Sequence, residues 1–236
     1  MLPKSITPCP IVEVIADIRF DPAVPPDALT GIVYQALRSE FPKLEQLPPA
    51  LIPFEIRTKD PNLKFQPTHK LIGETASILL SPSSTALSKR EPYPGWPKLS
   101  EDALRIFTAI SKTGVITKST RLGLRYISFF EADALPNLTL NISIASESAI
   151  GRQTVLKTLL TAVGCNTLLQ VTNHAQLKTV AKKLGTVIDI DAFMQDGPME
   201  NAGDFQKFLE NAHTAEKALF FKLLKPEFLA TLNPAY

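Results

Sequence analysis

The chain has 236 residues, of which 44% are hydrophobic and 20% are charged, and its formal net charge at pH 7 is +2. This composition is that of a globular chain with enough apolar residues for a sizeable core, and it excludes a largely disordered protein. The small net charge by itself gives no support for nucleic acid as a partner, and a prior of about 150 residues per domain allows one or two domains.

The cellular location is inferred from the N-terminus and from the cysteines. Prolines interrupt the first ten residues, where a signal peptide would lie, and no apolar run approaches the roughly 18 residues that span a bilayer. The two cysteines, Cys9 and Cys165, have no C-x-x-C spacing, as expected of reduced thiols in a reducing compartment. We therefore expect a cytoplasmic protein without a membrane partner.

The first predicted elements are a strand, a helix and two more strands. Residues 11–20 are rich in β-branched residues with charges at alternate positions, which predicts a strand with one apolar face. A helix is predicted at 27–41, where apolar residues follow the 3.6-residue period up to Pro42. Strands are then expected at 52–58 and 70–81.

A second helix and a strong strand complete this first part. The helix is predicted at 100–112, with Ser100 as its N-cap and Gly114 after its end. The strand is predicted at 120–130, where apolar and polar residues alternate again. The predicted order of the first part is therefore β-α-β-β-α-β.

The order of elements partly repeats after residue 135. The predicted elements are a strand at 138–145, a helix at 153–163, strands at 166–173 and 185–193, and a long helix at 204–224. The simplest matching architecture is α+β, with two ferredoxin-like (split βαβ) halves, antiparallel or mixed sheets and a long C-terminal helix. Residues 1–135 would form the β-α-β-β-α-β half, and residues 136–236 the β-α-β-β-α half.

Three segments occur in an order that resembles one protein family. They are Pro10-Ile-Val-Glu-Val, Arg121-Leu-Gly-Leu-Arg-Tyr-Ile and His213-x-x-x-Lys217-x-x-Phe220, with Tyr93-Pro-Gly-Trp96 between the first two. Together they resemble a sporadically distributed prokaryotic family of unknown function, over nearly the whole chain. The family has no established activity, so the resemblance assigns no role to any residue. Its patchy distribution implies an accessory gene, of the kind found in mobile or defence loci.

Arginines on two predicted strands are the main binding candidates. Arg121 and Arg125 flank Gly123 on one strand, and Arg19 lies on another. Because side chains alternate along a strand, Arg121 and Arg125 share the face opposite its apolar residues. The missing side chain of the glycine would leave a gap in which an external anion or a backbone segment could approach both guanidinium groups.

Acidic residues on the strands allow other interpretations. Glu13 and Asp17 could pair across the sheet with the arginines, which would make the arginines structural. The strand around Asp17 is superficially similar to the metal-binding first strand of nucleotidyl cyclases, but no downstream Gly-Asp hairpin supplies a second carboxylate. Asp189 and Asp191 would lie about 6–7 Å apart on one strand face, where they could bind a divalent cation or simply face solvent. Neither set has a second group of ligands, so we expect no metal and no cofactor.

Tyr93 and Trp96 lie in a proline-rich loop before the second helix. Aromatic residues with one polar edge are favoured at interfaces, so this loop could be a binding surface. The alternative is that Trp96, the only tryptophan, packs into the core. Both interpretations stay open.

The sequence contains no recognisable catalytic motif, such as a G-x-S-x-G elbow or a glycine-rich phosphate loop. The leading hypothesis is therefore a non-enzymatic intracellular binding or regulatory protein that acts through a protein partner. One alternative is a metal-dependent nucleotide- or nucleic-acid-processing enzyme that uses the acidic residues described above. Another is a nucleic-acid-binding protein without chemistry, which would require the basic residues of 89–125 and 148–188 to share a face.

Overall fold

A computed structural model of the chain describes residues 2–148, 151–176, 184–195 and 202–236. The strands are β1 (Ile11–Pro22), β2 (Lys43–Gln46), β3 (His69–Ile72), β4 (Ser77–Ser81), β5 (Ser84–Arg90), β6 (Ile116–Glu131), β7 (Ser143–Ile144), β8 (Glu147–Ser148), β9 (Val155–Ala162), β10 (Cys165–Gln176) and β11 (Leu184–Gln195). The helices are α1 (Pro26–Leu37), α2 (Phe54–Lys59), α3 (Trp96–Ser111), α4 (Ala202–Leu223) and α5 (Pro226–Thr231).

The protein is α+β and is built on one large antiparallel sheet. Nine strands form this sheet in the order β2-β3-β4-β5-β1-β6-β11-β10-β9, and the short strands β7 and β8 pair separately. The strands predicted at 11–20, 120–130 and 185–193 are confirmed as β1, β6 and β11. They adjoin one another in the sheet.

Alternating burial explains why β1 could be recognised from its sequence. Its residues Val14, Ala16, Ile18 and Phe20 are each at most 2% exposed. The residues between them are only partly buried, so the charged residues of the strand occupy the other face. This period-two pattern has no helical equivalent.

The long helices also agree with the sequence pattern, except that α1 ends at Leu37 and not at residue 41, and that α3 begins earlier than predicted. This helix begins at Trp96 and not at Ser100, because Pro97 suits the first helical turn. The hydroxyl of Ser100 donates a hydrogen bond to the Pro97 carbonyl at 3.1 Å and therefore caps nothing. Phe205 at the start of α4 packs edge-on against Phe107 of α3, with ring centroids 4.9 Å apart.

Two predictions for the segment between α1 and α3 are wrong. Residues 52–58 are not a strand, since a short 3-10 helix (Pro48–Leu51) is followed by α2. Prolines begin the 3-10 helix, and Pro53 precedes α2. Their fixed φ favours a helical first turn over a central strand. Residues 70–81 form two strands, β3 and β4, because the chain turns at residues 73–76. The polar strand β5 was missed because its Ser, Thr and Lys residues give no apolar alternation.

The helix predicted at 153–163 is also wrong, because residues 155–162 form β9, which pairs antiparallel with β10. Val163 and Gly164 form the two-residue turn between the strands, and both have positive φ, at 50° and 72°. Such a turn matches the twist of a hairpin. Val155 and Leu159, which the helical period placed inward, are 65% and 58% exposed. The second predicted half therefore lacks its first helix, and its first strand is reduced to residues 143–144.

The chain divides into two compact units, each made of separate stretches. The first unit comprises Met1–Glu13, Arg125–Ala192 and Asn211–Tyr236, and the second comprises Val14–Leu124 and Phe193–Glu210. The predicted boundary between residues 135 and 136 stays a prediction, because packing units describe contacts and not segments that fold alone. Within the described residues, no helix combines the length and the apolar composition needed to cross a membrane.

The first unit contains a fully enclosed carboxyl group. Glu216 on α4 is 2% exposed, and its Oε1 accepts a hydrogen bond from the Ala192 amide at 3.1 Å. Its Oε2 has no partner among the described residues. Burial raises the pKa of Glu216 well above its ordinary 4.5. The hydrogen bond from Ala192 acts in the opposite direction, and the charges of Asp191 and Asp189 add to the increase. Burial therefore favours the neutral form of this carboxyl group in the folded protein.

A histidine on the same helix has the opposite pH dependence. The hydroxyl of Tyr126 lies 3.2 Å from Nδ1 of His213. Burial, reinforced by the charge of Lys217, lowers the pKa of His213 to about 4. Since this folded-state pKa is below its ordinary 6.5, the contribution of His213 to stability is present above pH 6.5 and is lost as the pH falls towards 4.

We predict that Glu216→Gln makes the protein more stable than the wild type at neutral pH. The raised pKa of Glu216 means that its contribution is present below pH 4.5 and is lost as the pH rises. Glutamine stays neutral, so the advantage of the variant should grow above pH 4.5 by up to about 1.4 kcal/mol per pH unit. Urea denaturation of both proteins between pH 4 and 8 measures this difference.

The matched control is Glu210→Gln, on an exposed position of the same helix. We expect a small difference from the wild type at every pH. A Glu216→Gln advantage that stays constant across the pH range would contradict a neutral buried acid.

Candidate anion-binding cleft

The first arginine predicted from the sequence is held by an internal carboxylate. Nη1 of Arg121 donates to both carboxylate oxygens of Asp17, at 2.6 and 2.7 Å. Arg121 is 7% exposed, and its guanidinium carbon lies 4.8 Å from the ring centroid of Phe193. The interpretation in which Arg121 pairs across the sheet is therefore the one that the structure contains.

The space above Gly123 is filled by this ion pair. A Cβ atom at Gly123 would lie 2.1 Å from Oδ1 of Asp17 and 2.3 Å from Nη1 of Arg121. Any side chain would collide with both members of the pair. A side chain here would have to displace the pair, and the gap expected from the sequence is not open to an external guest.

The second arginine pairs with a different carboxylate, within the first unit. Nε and Nη2 of Arg125 donate to the two oxygens of Asp189, at 2.8 and 2.5 Å. This bidentate contact is the main cause that raises the pKa of Arg125. The partner is neither Glu13 nor Asp17, because β11 adjoins β6 in the sheet, a neighbour that the sequence did not indicate.

Two of the three acidic residues considered as metal ligands are thus engaged with arginines. Asp17 pairs with Arg121, and Asp189 pairs with Arg125. In the part of the chain that the structure describes, no three His, Cys, Asp or Glu side chains stand where they could share a metal ion. One residue of each acidic set is therefore occupied by an ion pair with an arginine.

A cleft of about 520 Å³ opens in the second unit, next to Arg19 and Arg121. Its charged and aromatic lining consists of Arg19, Arg57, Lys64, Arg121, Asp21, Phe20, Phe54 and Phe65. Four of these side chains are cationic and one is acidic. Two of the arginines proposed from the sequence therefore meet in one concave site, whereas Arg125 does not line it.

Arg57 is the most unusual residue of this cleft. It is 9% exposed, its Nε donates to the Ile52 carbonyl at 3.0 Å, and its guanidinium lies 5.7 Å from the Phe54 ring centroid. No described carboxylate pairs with it. The pKa of His69 is lowered from its ordinary value, mainly by burial and also by the positive charge of Arg57. Arg57 is thus a buried cation that the protein itself does not neutralise.

Two further cations of the cleft are arranged around one aromatic ring. The guanidinium carbon of Arg19 lies 4.2 Å from the ring centroid of Phe65, and Nζ of Lys64 lies 5.2 Å from it. Arg19 also reaches Asp17, at 4.0 Å. These cation–π contacts hold the positive groups at the wall of the cleft while leaving their charge in place.

The aromatic residues of the predicted binding loop lie elsewhere in the second unit. Tyr93 lines a separate cavity of about 600 Å³ with Lys70, Lys89 and Lys98. Its lysines Lys89 and Lys98 are paired with Asp102, at 2.7 and 3.1 Å. Trp96 is half-buried at the start of α3 and lines neither this cavity nor the basic cleft.

Sequence reasoning missed Arg57, Lys64, Phe54 and Phe65. Phe54 and Arg57 lie in α2, in the segment expected to be a strand. Lys64 and Phe65 lie after it, in the expected connection between two strands, and no periodicity marks any of the four. Only the three-residue spacing of Phe54 and Arg57, which places them on one helix face, could have drawn notice once α2 was known.

The sequence matches no protein-family model and no curated protein. The resemblance to the sporadic prokaryotic family therefore stays a prediction. What can be said of function rests on the geometry of the cleft.

We predict that Gly123→Ala destabilises the protein by about 1–3 kcal/mol, because the added methyl group collides with the Arg121–Asp17 pair. The matched control is Gly31→Ala in α1, where a Cβ would meet nothing within 4 Å. Alanine there should stabilise the helix by up to about 1 kcal/mol. Urea denaturation of both variants measures the contrast, and equal effects would show that the ion pair does not need the glycine.

We predict that Arg125→Met destabilises the protein by about 1–3 kcal/mol, because it leaves the Asp189 carboxylate, 11% exposed, without its partner. The loss is smaller than for a fully buried pair because the Arg125 side chain is 41% exposed. Adding Asp189→Asn should restore most of the stability. Arg152→Met, which breaks an exposed pair with Glu147, should cost less than about 1 kcal/mol. Equal melting temperatures for Arg125→Met and wild type would contradict the structural role of this pair.

Proposed function

We propose that this protein is a non-enzymatic binding protein whose ligand carries a multivalent anion, and that this anion binds in the basic cleft. The observation that carries the proposal is Arg57, a cation that is 9% exposed and has no described carboxylate partner. A buried charge without a partner is costly. An anionic ligand would supply the missing partner.

The shape and chemistry of the cleft support this proposal. Its volume of about 520 Å³ falls in the range typical of small-ligand sites. A guanidinium group presents several donors in a planar fork, which suits the oxygens of phosphate and carboxylate groups. Lys64 and Arg19 add positive charge from the side of Phe65, so an anion would be approached from more than one direction.

We also infer a split-βαβ core for the first part of the chain. The sheet order β4-β5-β1-β6 supports it, together with α1 after β1 and α3 between β5 and β6. The inference is limited to this part, because β9 and β10 form a hairpin where the second half was expected to have a helix.

The anion proposal is tested by titrating the protein with inorganic phosphate and with pyrophosphate. We expect saturable binding by calorimetry, a raised melting temperature and weaker binding at high salt, because the cations are near the surface of the cleft. Arg57→Gln should weaken binding at least about tenfold, the loss of one charge-assisted contact.

Two further variants make this test decisive. Lys64→Gln removes a charge from an exposed position of the cleft and should weaken binding several-fold without changing stability. Arg38→Gln removes a charge from an exposed position outside the cleft and should bind as the wild type does. Absence of binding by both anions, or equal binding by the Arg57 and Arg38 variants, would rule the proposal out.

A further inference from the structure

The aromatic lining of the basic cleft is not explained by an inorganic anion. Phe54 lines the cleft and is 39% exposed, and Phe65 lines it as well. An anion alone needs donors and positive charge, and it gains nothing from an exposed phenylalanine ring. A ligand with a flat apolar surface would cover the ring and remove its area from water.

The two parts of the site lie at a defined spacing. Phe54 and Arg57 are three residues apart on α2 and share a helix face, with the guanidinium carbon 5.7 Å from the ring centroid. A ligand bound to both must carry its anionic group and its flat ring on a short linker. A nucleotide has this form, because a single sugar separates the base from the phosphate.

The charge of the cleft matches one phosphate group. Of its four cations, Arg121 is neutralised by Asp17, and Asp21 offsets one more. Two positive charges remain, and a phosphate monoester carries about −1.5 to −2 at pH 7. A strand of nucleic acid would instead need a basic groove with successive stacking rings.

We infer that the cleft binds a nucleoside monophosphate, with the phosphate at Arg57 and Lys64 and the base stacked on Phe54. This inference rests on the proposed anion-binding function and adds the chemical class of the ligand. The base is held by stacking and not by a set of hydrogen bonds, so all four common bases should bind with similar affinity.

The test compares four kinds of probe by calorimetry on the full chain: the four nucleoside monophosphates, adenosine, inorganic phosphate and a single-stranded DNA oligonucleotide. We expect the monophosphates to bind roughly 10- to 100-fold more tightly than phosphate, the range that stacking of one base supplies. Adenosine should bind weakly, because it lacks the charge.

Variants separate the two contacts. In Phe54→Ala, the affinity for the monophosphates should fall to near that variant's affinity for phosphate. Leu51→Ala, at a residue that is 79% exposed and does not line the cleft, should change neither. Arg57→Gln should weaken both the monophosphates and phosphate.

The outcomes also separate this inference from the function on which it rests. If phosphate binding depends on Arg57 but the monophosphates bind no more tightly, the nucleotide inference is wrong and the anion-binding function stands. Tighter binding of the oligonucleotide than of the monophosphates would replace the nucleotide by nucleic acid. If no probe binds, both proposals fail.

Discussion

The ion pair between Arg121 and Asp17 is the contact on which the rest of the second unit depends. It joins two strands that are far apart in sequence, β1 and β6, and it lies directly on the backbone at Gly123. Because the pair occupies this space, Arg121 is drawn to the sheet and forms one wall of the cleft. Arg121 is thereby buried in the middle of a strand together with an opposite charge.

The arginines differ in the groups that surround their charge. Arg121 and Arg125 form ion pairs with carboxylates from neighbouring strands, so an opposite charge within the fold compensates each of them. Arg57 has a backbone carbonyl and an aromatic ring as its neighbours, and neither neutralises it. The difference lies in the surrounding elements, because a sheet supplies an opposite side chain at each position and a short helix does not.

The first unit contains two ionisable groups whose pKa values are shifted by burial. Glu216 and His213 lie on one helix, and burial moves their pKa values in opposite directions, up for the acid and down for the histidine. In both groups, desolvation disfavours the charged form.

The sequence by itself determined the elements whose pattern is local. Alternating burial in β1 and the 3.6-residue period of α1 and α4 can be read directly, because each depends on one face meeting the core. The strand β9 could not be read in this way, since its leucines fit a helical period and its pairing with β10 decided the outcome. The sequence offered Asp17 as one possible partner of Arg121, but only the tertiary structure identified Asp189 as the partner of Arg125 and the buried charge of Arg57, because electrostatic partners come from residues distant in sequence.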